Sequence, residues 1–221
     1  ENVLMVSKYR DILKKYFHFR LPEKYSLDVL MNKKLFADFA KREGFPIPKT
    51  FSASNTNEVI KISNETLYPC IMKPHYRGIR WEKAKIHKAF KIKNAEMLID
   101  RYSEISPLNE NVVIQEWMPG PDSEIYFCLL YFDSSSNPIG SFVGKKIRQW
   151  PHECGSTSLA MSCVQDFVLE ESIRLFKILK FKGLGSVEFK RDSRDGKFKI
   201  TEPTVGRTNL QSALAVVSGV N

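Results

Sequence analysis

The stretch GLGSVEFKRDSRDGKFKITEPTVGRTN, residues 183–209, constrains this chain most, because it reads as two short strands folded back on each other around a polar turn. A turn about Asp195 sets Glu188 directly opposite Glu202, where cross-strand side chains approach to roughly 5 Å and like charges are destabilising. A cation between the two relieves that repulsion. A hard divalent ion such as Mg²⁺ takes one or two carboxylates, keeps several waters and bridges to phosphates, so it suits a pair of glutamates. Two solvated glutamates on an exposed hairpin are the bland alternative.

The rest of the chain sets the frame for that pair. With 221 residues, 43% of them hydrophobic and 12% aromatic, it can bury a real core in one domain or two packed lobes. No run approaches the length of a membrane span, and no charged start followed by an apolar stretch resembles a signal peptide. The chain opens at Glu1 without a methionine and stops at Asn221 straight after an apolar helical pattern, which reads as a piece of a longer protein. The net charge of +9 is compatible with nucleic acid, an anionic membrane surface or a polyanionic small ligand. Its lysines are spread through the first half without a long basic run, and no helix-turn-helix, zinc-finger or RNP-type motif is present, which argues against nucleic acid. The four cysteines, Cys70, Cys128, Cys154 and Cys163, show no CxxC spacing and suit reduced, buried thiols in a cytoplasmic protein. His152, Cys154 and Cys163 lack a fourth ligand at a zinc spacing.

Apolar residues at helical spacing predict one amphipathic helix over Ser26–Lys41, with Ser26 as N-cap and Gly44 and Pro46 ending it. An extended segment FPIPKTF follows. Next come a helix entered from Asn55, a strand over Tyr68–Lys73, a polar loop over His75–Glu82 and a short strand near Lys85–His87. Asn94 caps a further helix carrying Met97, Leu98 and Tyr102, followed by the strand NVVIQEW and the turn PGPD. Ile125–Phe132 reads as a strand buried on both faces, paired through a hairpin loop with Ile139–Lys145. Residues 146–163 lack periodicity and read as a long functional loop. A helix from Gln165 to Lys180 precedes the carboxylate hairpin, and a last helix starts near Asn209. The expected class is α+β with mainly antiparallel strands.

Four elements in this order resemble an ATP-grasp ligase over about residues 26–221. They are the Asn32-Lys33 helix ahead of Gly44-Phe-Pro-Ile-Pro, the strand YPCIMKP, the strand-turn VIQEWMPGPD, and the carboxylate hairpin with EPTVGRTN. The resemblance implies two lobes, each with an antiparallel sheet and helices, and a nucleotide cleft between them. It implies a first lobe over residues 26–114 and a second over 115–221, truncated at its end, with residues 1–25 the close of a preceding α/β domain or a linker.

For the nucleotide, the resemblance implies phosphate contacts from Lys33 and Lys73, with Lys34 the alternative to Lys33, and from Lys85 at the start of the next strand. Lys73 makes sense alone, since an ammonium at the end of a buried strand is costly to hide unless it meets an anion. Gln115, Glu116 and Met118 are implied around adenine, with Asp122 on the ribose and Glu124 its rival. The loop HYRGIRW stands where relatives carry a glycine-rich flap; only Gly78 remains, with Arg77 and Arg80 beside it. Glu188, Glu202 and Thr204 are implied as the Mg²⁺ or Mn²⁺ ligands, Thr204 where relatives more often show asparagine and Asn209 its substitute. Arg207 and Arg148 are implied at the transferred phosphate and the oxyanion. The activity implied is ATP-dependent ligation of a small carboxylate to an amine, of the type resembling D-alanine:D-alanine ligase or the large chain of carbamoyl-phosphate synthase. An ATP-binding regulatory module without turnover and a biotin-carboxylase-like or carbamoyl-phosphate-forming activity stand as alternatives. No nucleic acid or membrane partner is implied, and a homodimer is compatible with the resemblance.

Overall fold

A single asparagine divides what the apolar spacing predicts as one helix over Ser26–Lys41. The structure is a computed structural model that describes residues 2–75, 79–87, 89–153, 155–207 and 211–220. After two short helices, α1 (Asn2–Lys8) and α2 (Arg10–Leu13), it has α3 over Lys24–Met31 and α4 over Lys33–Arg42. Asn32 between them is extended (φ −104°, ψ 117°), and its side-chain oxygen accepts from the amides of Lys34 and Leu35. That is an N-cap, which satisfies donors a helix start leaves open. Ser26, the expected cap, lies inside α3, where its hydroxyl donates to the Leu179 carbonyl at 2.6 Å.

Two compact units result, residues 32–119 and residues 1–31 with 120–221. In the first, α4 is followed by β1 (Thr50–Ala53), α5 (Thr56–Glu65), β2 (Cys70–Pro74), α6 (Ile79–Lys83), β3 (Phe90–Ile92), α7 (Ala95–Ile105) and β4 (Val112–Glu116). Asn55 and Asn94 cap α5 and α7 as expected, through side-chain oxygens bonded to the amides of Glu58 and Met97. The strands form one antiparallel sheet ordered β1-β4-β2-β3. Val59 and Ile62 from α5 and Leu98, Tyr102 and Ile105 from α7 pack on Cys70, Met72, Val112 and Ile114. The strand expected near Lys85–His87 lies instead at Phe90–Ile92, because Phe90 and Ile92 supply an apolar alternation and Ile92 is fully buried opposite Cys70. Lys85 is in a left-handed turn (φ 53°) after α6, which occupies part of the expected loop.

The second unit carries a short 3₁₀ turn at Asp122–Glu124, then β5 (Ile125–Phe132), β6 (Pro138–Trp150), β7 (Ser156–Ser162), α8 (Asp166–Ile178), β8 (Gly183–Arg191), β9 (Phe198–Val205) and α9 (Ser212–Val217). Its sheet is antiparallel in the order β7-β6-β5-β8-β9. The long loop expected over 146–163 is largely sheet. Two register shifts flank Arg148 where β6 pairs with β7, and such bulges erase the period-two signal that would have revealed the strands.

One face of this sheet is covered by α8 and an aromatic cluster in which Phe176 and Phe181 stack at 4.2 Å and Phe132 meets both edge-on. The opposite face gathers Phe127, Leu129 and Phe142 under Ala215 of α9. The N-terminal segment belongs here too. A side chain on Gly183 (φ 88°) would collide with the Arg20 carbonyl, and Val3 and Leu21 pack against Gly206. With α3 packed on β9, residues 1–31 group with residues 120–221 in this unit.

Burial pushes the Cys70 thiol up to about 11 and Cys128 up to about 12; both are free. Among the described residues no helix is long and apolar enough to cross a membrane. Asn32→Ala should lower stability by about 1 kcal/mol, the usual cost of a lost cap, read as a lower urea midpoint; an unchanged midpoint would mean that the break between α3 and α4 does not depend on the cap.

Candidate functional site

Glu188 and Glu202 face each other across β8 and β9, on the same side of the sheet. Their pairing requires a bulge. Between the turn and the carboxylates the strands run in one register, Phe189 opposite Ile200, and the register shifts at Glu188, leaving Thr201 as the extra residue. Without that shift, period-two alternation would send Glu202 to the face on which Phe189 is buried. Thr201 fixes the neighbouring carboxylate as well, donating from its hydroxyl to Glu188 Oε1 at 3.0 Å.

The turn is organised by Asp192, which is fully buried. Its carboxylate accepts from Arg194 Nε at 2.9 Å and from Lys199 Nζ at 3.1 Å. The Arg194 hydrogen bonds, followed by those from Lys199, hold this carboxyl well below its ordinary value of 3.8 against the opposing effect of burial.

Two carboxylates roughly 5 Å apart repel by about 3 kcal/mol at an effective dielectric of about 20, and by less where water reaches them. The cation at Glu188 is the ammonium of Lys146 from β6, 2.7 Å from Glu188 Oε2, on a side chain only 5% exposed. Lys146 opens a polar chain that is buried through Gln149 and Asp122 and ends at the exposed His152. Its ammonium lies 3.5 Å from Gln149 Oε1, Gln149 Nε2 donates to Asp122 Oδ1 at 2.7 Å, and Asp122 Oδ2 is 3.7 Å from His152 Nε2. Glu202 is exposed. Thr204 lies two residues further along β9, opposite Ser186 and on the carboxylates' face. Two carboxylates and a hydroxyl on one face fit a hard divalent ion that takes its remaining ligands from water and phosphate. Among the described residues no group of three His, Cys, Asp or Glu side chains could form a full protein cage.

The unit of residues 32–119 presents a basic face. Cross-strand pairing puts Lys73 on the side of Ile71, Lys91 and Gln115, away from the helical core that takes Cys70 and Met72. Lys73 Nζ is 3.4 Å from Gln115 Oε1, and Gln115 Nε2 donates to Thr50 Oγ1 at 3.0 Å. Lys91 Nζ lies 4.2 Å from the centre of the Trp117 ring, a cation–π contact. His75, two residues after Lys73, is buried and bonded to Ser52 and to the Val112 carbonyl. Burial, with the charges of Lys34 and Lys33, depresses its pKa despite its hydrogen bond to the Val112 carbonyl. Lys34 is engaged with Asp38 at 2.7 Å.

Other expected residues take definite places. Glu116 turns away from Gln115, as neighbours in a strand must, and accepts from the Lys49 amide at 3.2 Å. Met118 is buried. Asp122 is buried and occupied by Gln149, whereas Glu124 Oε2 is buried without a hydrogen-bond partner, 3.9 Å from Arg191. Arg148 is exposed at the β6 bulge, and Arg207 is exposed just past β9. Lys85 is exposed outside any strand. Arg77 and Gly78 of the flap, Cys154 and Asn209 lie outside the described residues. Sequence reasoning missed Lys91, Gln149 and Thr201, and placed Lys146 only at the start of the long loop expected over residues 146–163. A strand assigned to Phe90–Ile92 would have flagged Lys91; no local signal marks the other three.

No family model matches the chain, and no curated protein matches it. Solved structures do. Biotin carboxylase from Campylobacter jejuni, in complex with β-γ-ATP, superposes at a TM-score of 0.77 with 17% identity over 98% of this chain and 50% of its own. The biotin carboxylase domain of Hydrogenobacter thermophilus 2-oxoglutarate carboxylase, in complex with MgADP, ADP and bicarbonate, gives 0.76 with 14% identity over 96% and 48%. D-alanine-D-alanine ligase from Coxiella burnetii gives 0.71 with 15% identity over 96% and 59%. The chain thus spans about half the length of the first two.

Replacing Asp192 tests the hairpin's clamp by pH. Because folding depresses this carboxyl, its stabilisation is present above the ordinary value of 3.8 and is lost as pH falls below it. Asp192→Asn should therefore be less stable than the parent at pH 7, with the gap in urea midpoint closing below pH 4; a gap independent of pH would remove the charge from the clamp.

Proposed function

We propose, with the ATP-grasp fold of this chain as the premise, that it is an ATP-dependent ligase that activates a carboxylate as an acyl phosphate and joins it to an amine. The observation that carries this reading is the pairing of Glu188 with Glu202 on one sheet face, a donor set suited to a hard cation shared with phosphates. The MgADP and ATP-analogue complexes of the neighbouring structures support the same ligand class.

The chain's own groups divide the work. Lys73 and Lys91 supply positive charge for the phosphates from the basic face and Lys33 from the start of α4, with Lys85 a further contributor from the turn. Gln115, Glu116 and Met118 surround the adenine, through backbone groups where their side chains are already engaged. The ribose hydroxyls fall to Asp122 or Glu124; Glu124 Oε2 accepts no hydrogen bond and has only the Arg191 guanidinium at 3.9 Å, while Asp122 is spent on Gln149. Glu188, Glu202 and Thr204 would hold Mg²⁺ or Mn²⁺, which when bound neutralises developing charge on the transferring phosphoryl group.

The substrate carboxylate oxygen attacks the γ-phosphorus, the bond to the bridging oxygen breaks, and ADP leaves. The amine nitrogen then adds to the acyl carbon, phosphate departs, and the amine's surplus proton passes to solvent. Arg207 and Arg148, both exposed guanidinium groups, pair with the transferred phosphate and the tetrahedral oxyanion. A nucleotide-binding module without turnover is the competing reading, favoured by Thr204, whose neutral hydroxyl is a weak metal donor.

The test is ADP release by the full-length protein with Mg²⁺, across panels of small carboxylates and amines. Ligase activity predicts release that depends on both substrates, and Glu202→Gln should reduce it at least about 100-fold with an unchanged circular dichroism spectrum. ATP binding that never yields ADP would favour the module, and parent-level turnover in Glu202→Gln would remove the carboxylate pair from the mechanism.

A further inference from the structure

Lys146 stands where a metal-binding carboxylate would be expected to wait open. Its ammonium is 2.7 Å from Glu188 Oε2 while Thr201 holds Oε1 at 3.0 Å, so both oxygens of this carboxylate are engaged. A lysine this buried needs a counter-charge, because an isolated ammonium out of water is far costlier than a paired one. It also has a second anchor that is neutral. Gln149 Oε1 lies 3.5 Å from Nζ, and Gln149 is itself fixed by its 2.7 Å bond to Asp122, on which His152 also bears at 3.7 Å. The strand that delivers Lys146 is kinked immediately after it, with register shifts on both sides of Arg148. That irregularity places Lys146 and Gln149 together in the buried chain while Arg148 remains exposed.

We infer that Lys146 is the resident counter-ion of Glu188 and yields Glu188 Oε2 to the divalent cation when the metal site fills, its ammonium retained by Gln149. This deepens the Mg·ATP reading and rests on it. A divalent ion on Glu188 puts like charges side by side, the ammonium of Lys146 being nearly buried and the Glu188 side chain partly exposed, and the ammonium is the one on a flexible stem. Binding of the ion and displacement of the ammonium are then one event, which weakens metal binding in the absence of nucleotide. Phosphate oxygens, arriving with the ion, offer the displaced ammonium a new anion. Lys146 is therefore a positioning residue that couples metal loading to nucleotide loading.

The experiment measures Mn²⁺ affinity without nucleotide, by titration followed with electron paramagnetic resonance, on the full chain and its variants. Lys146→Met and Lys146→Gln should both bind Mn²⁺ more tightly than the parent, by about tenfold, a typical coupling between linked sites. The glutamine variant keeps a donor to Glu188 without the charge and decides the matter if the methionine variant does not fold. Adding ADP should tighten Mn²⁺ binding more in the parent than in either variant, a readout that a purely structural lysine would leave unmoved. Glu188→Gln should abolish the binding. Equal or weaker Mn²⁺ affinity in the folded Lys146 variants, with binding still lost in Glu188→Gln, overturns the competition while leaving the carboxylate site in place. Mn²⁺ binding absent from every form, even with ADP, overturns the metal site and the inference with it.

Discussion

The carboxylate face depends on one extra residue in one strand. Asp192 and its two cationic partners fix the hairpin turn, and a regular ladder built outward from that turn would place Glu202 on the wrong side of the sheet. The bulge at Thr201 absorbs the mismatch. It lets a buried ion-pair clamp and the candidate carboxylate pair coexist in the same two strands, and the inserted residue's hydroxyl holds Glu188. Bulges recur where a strand must re-aim a side chain, and here the side chain re-aimed is half of the proposed metal site.

Charge is handled by register elsewhere as well. The positive excess of the chain forms no run, yet strand pairing gathers Lys73 and Lys91 on one face, beside a histidine that burial and nearby lysines keep neutral. A neutral imidazole at that point spares the face a further buried charge and remains satisfied by Ser52 and Val112. Gln115 bridges the same face from β4 to β1, an uncharged link that engages Lys73 without cancelling its charge. On the sheet of the other unit the opposite problem, two like negative charges, is met at Glu188 by the buried Lys146. In both units the electrostatics follow from which strands are neighbours.

The local rules were legible where the signal was local. Asn55 and Asn94 cap the helices their positions predicted, and β4, β5 and α8 lie within a few residues of the runs that announced them. The helix over 26–41 failed because Asn32 suits a helix interior poorly but a cap well, and apolar spacing alone continued through it. The strand expected near Lys85–His87 lies further on at Phe90–Ile92, where burial against Cys70 selects the apolar alternation. The sheet continuation over 146–162 was hidden by its own bulges. Lys146 consequently counted as a loop charge, and Asp122 as an open ribose ligand although Gln149 occupies it.

By itself, the sequence determined the antiparallel α+β character, the capped helices and the presence of a carboxylate hairpin, because alternation, capping and hairpin pairing are relations between residues close along the chain; the bulge at Thr201 that sets Glu188 opposite Glu202 was visible only in the strand pairing. Tertiary structure alone decided that Lys146 is the cation at Glu188, that Lys91 joins Lys73, and that Ser26 serves Leu179 instead of a helix start. Each of those depends on pairing or packing between segments far apart in sequence. Such contacts are chosen by the burial of whole faces and not by any residue's own propensity.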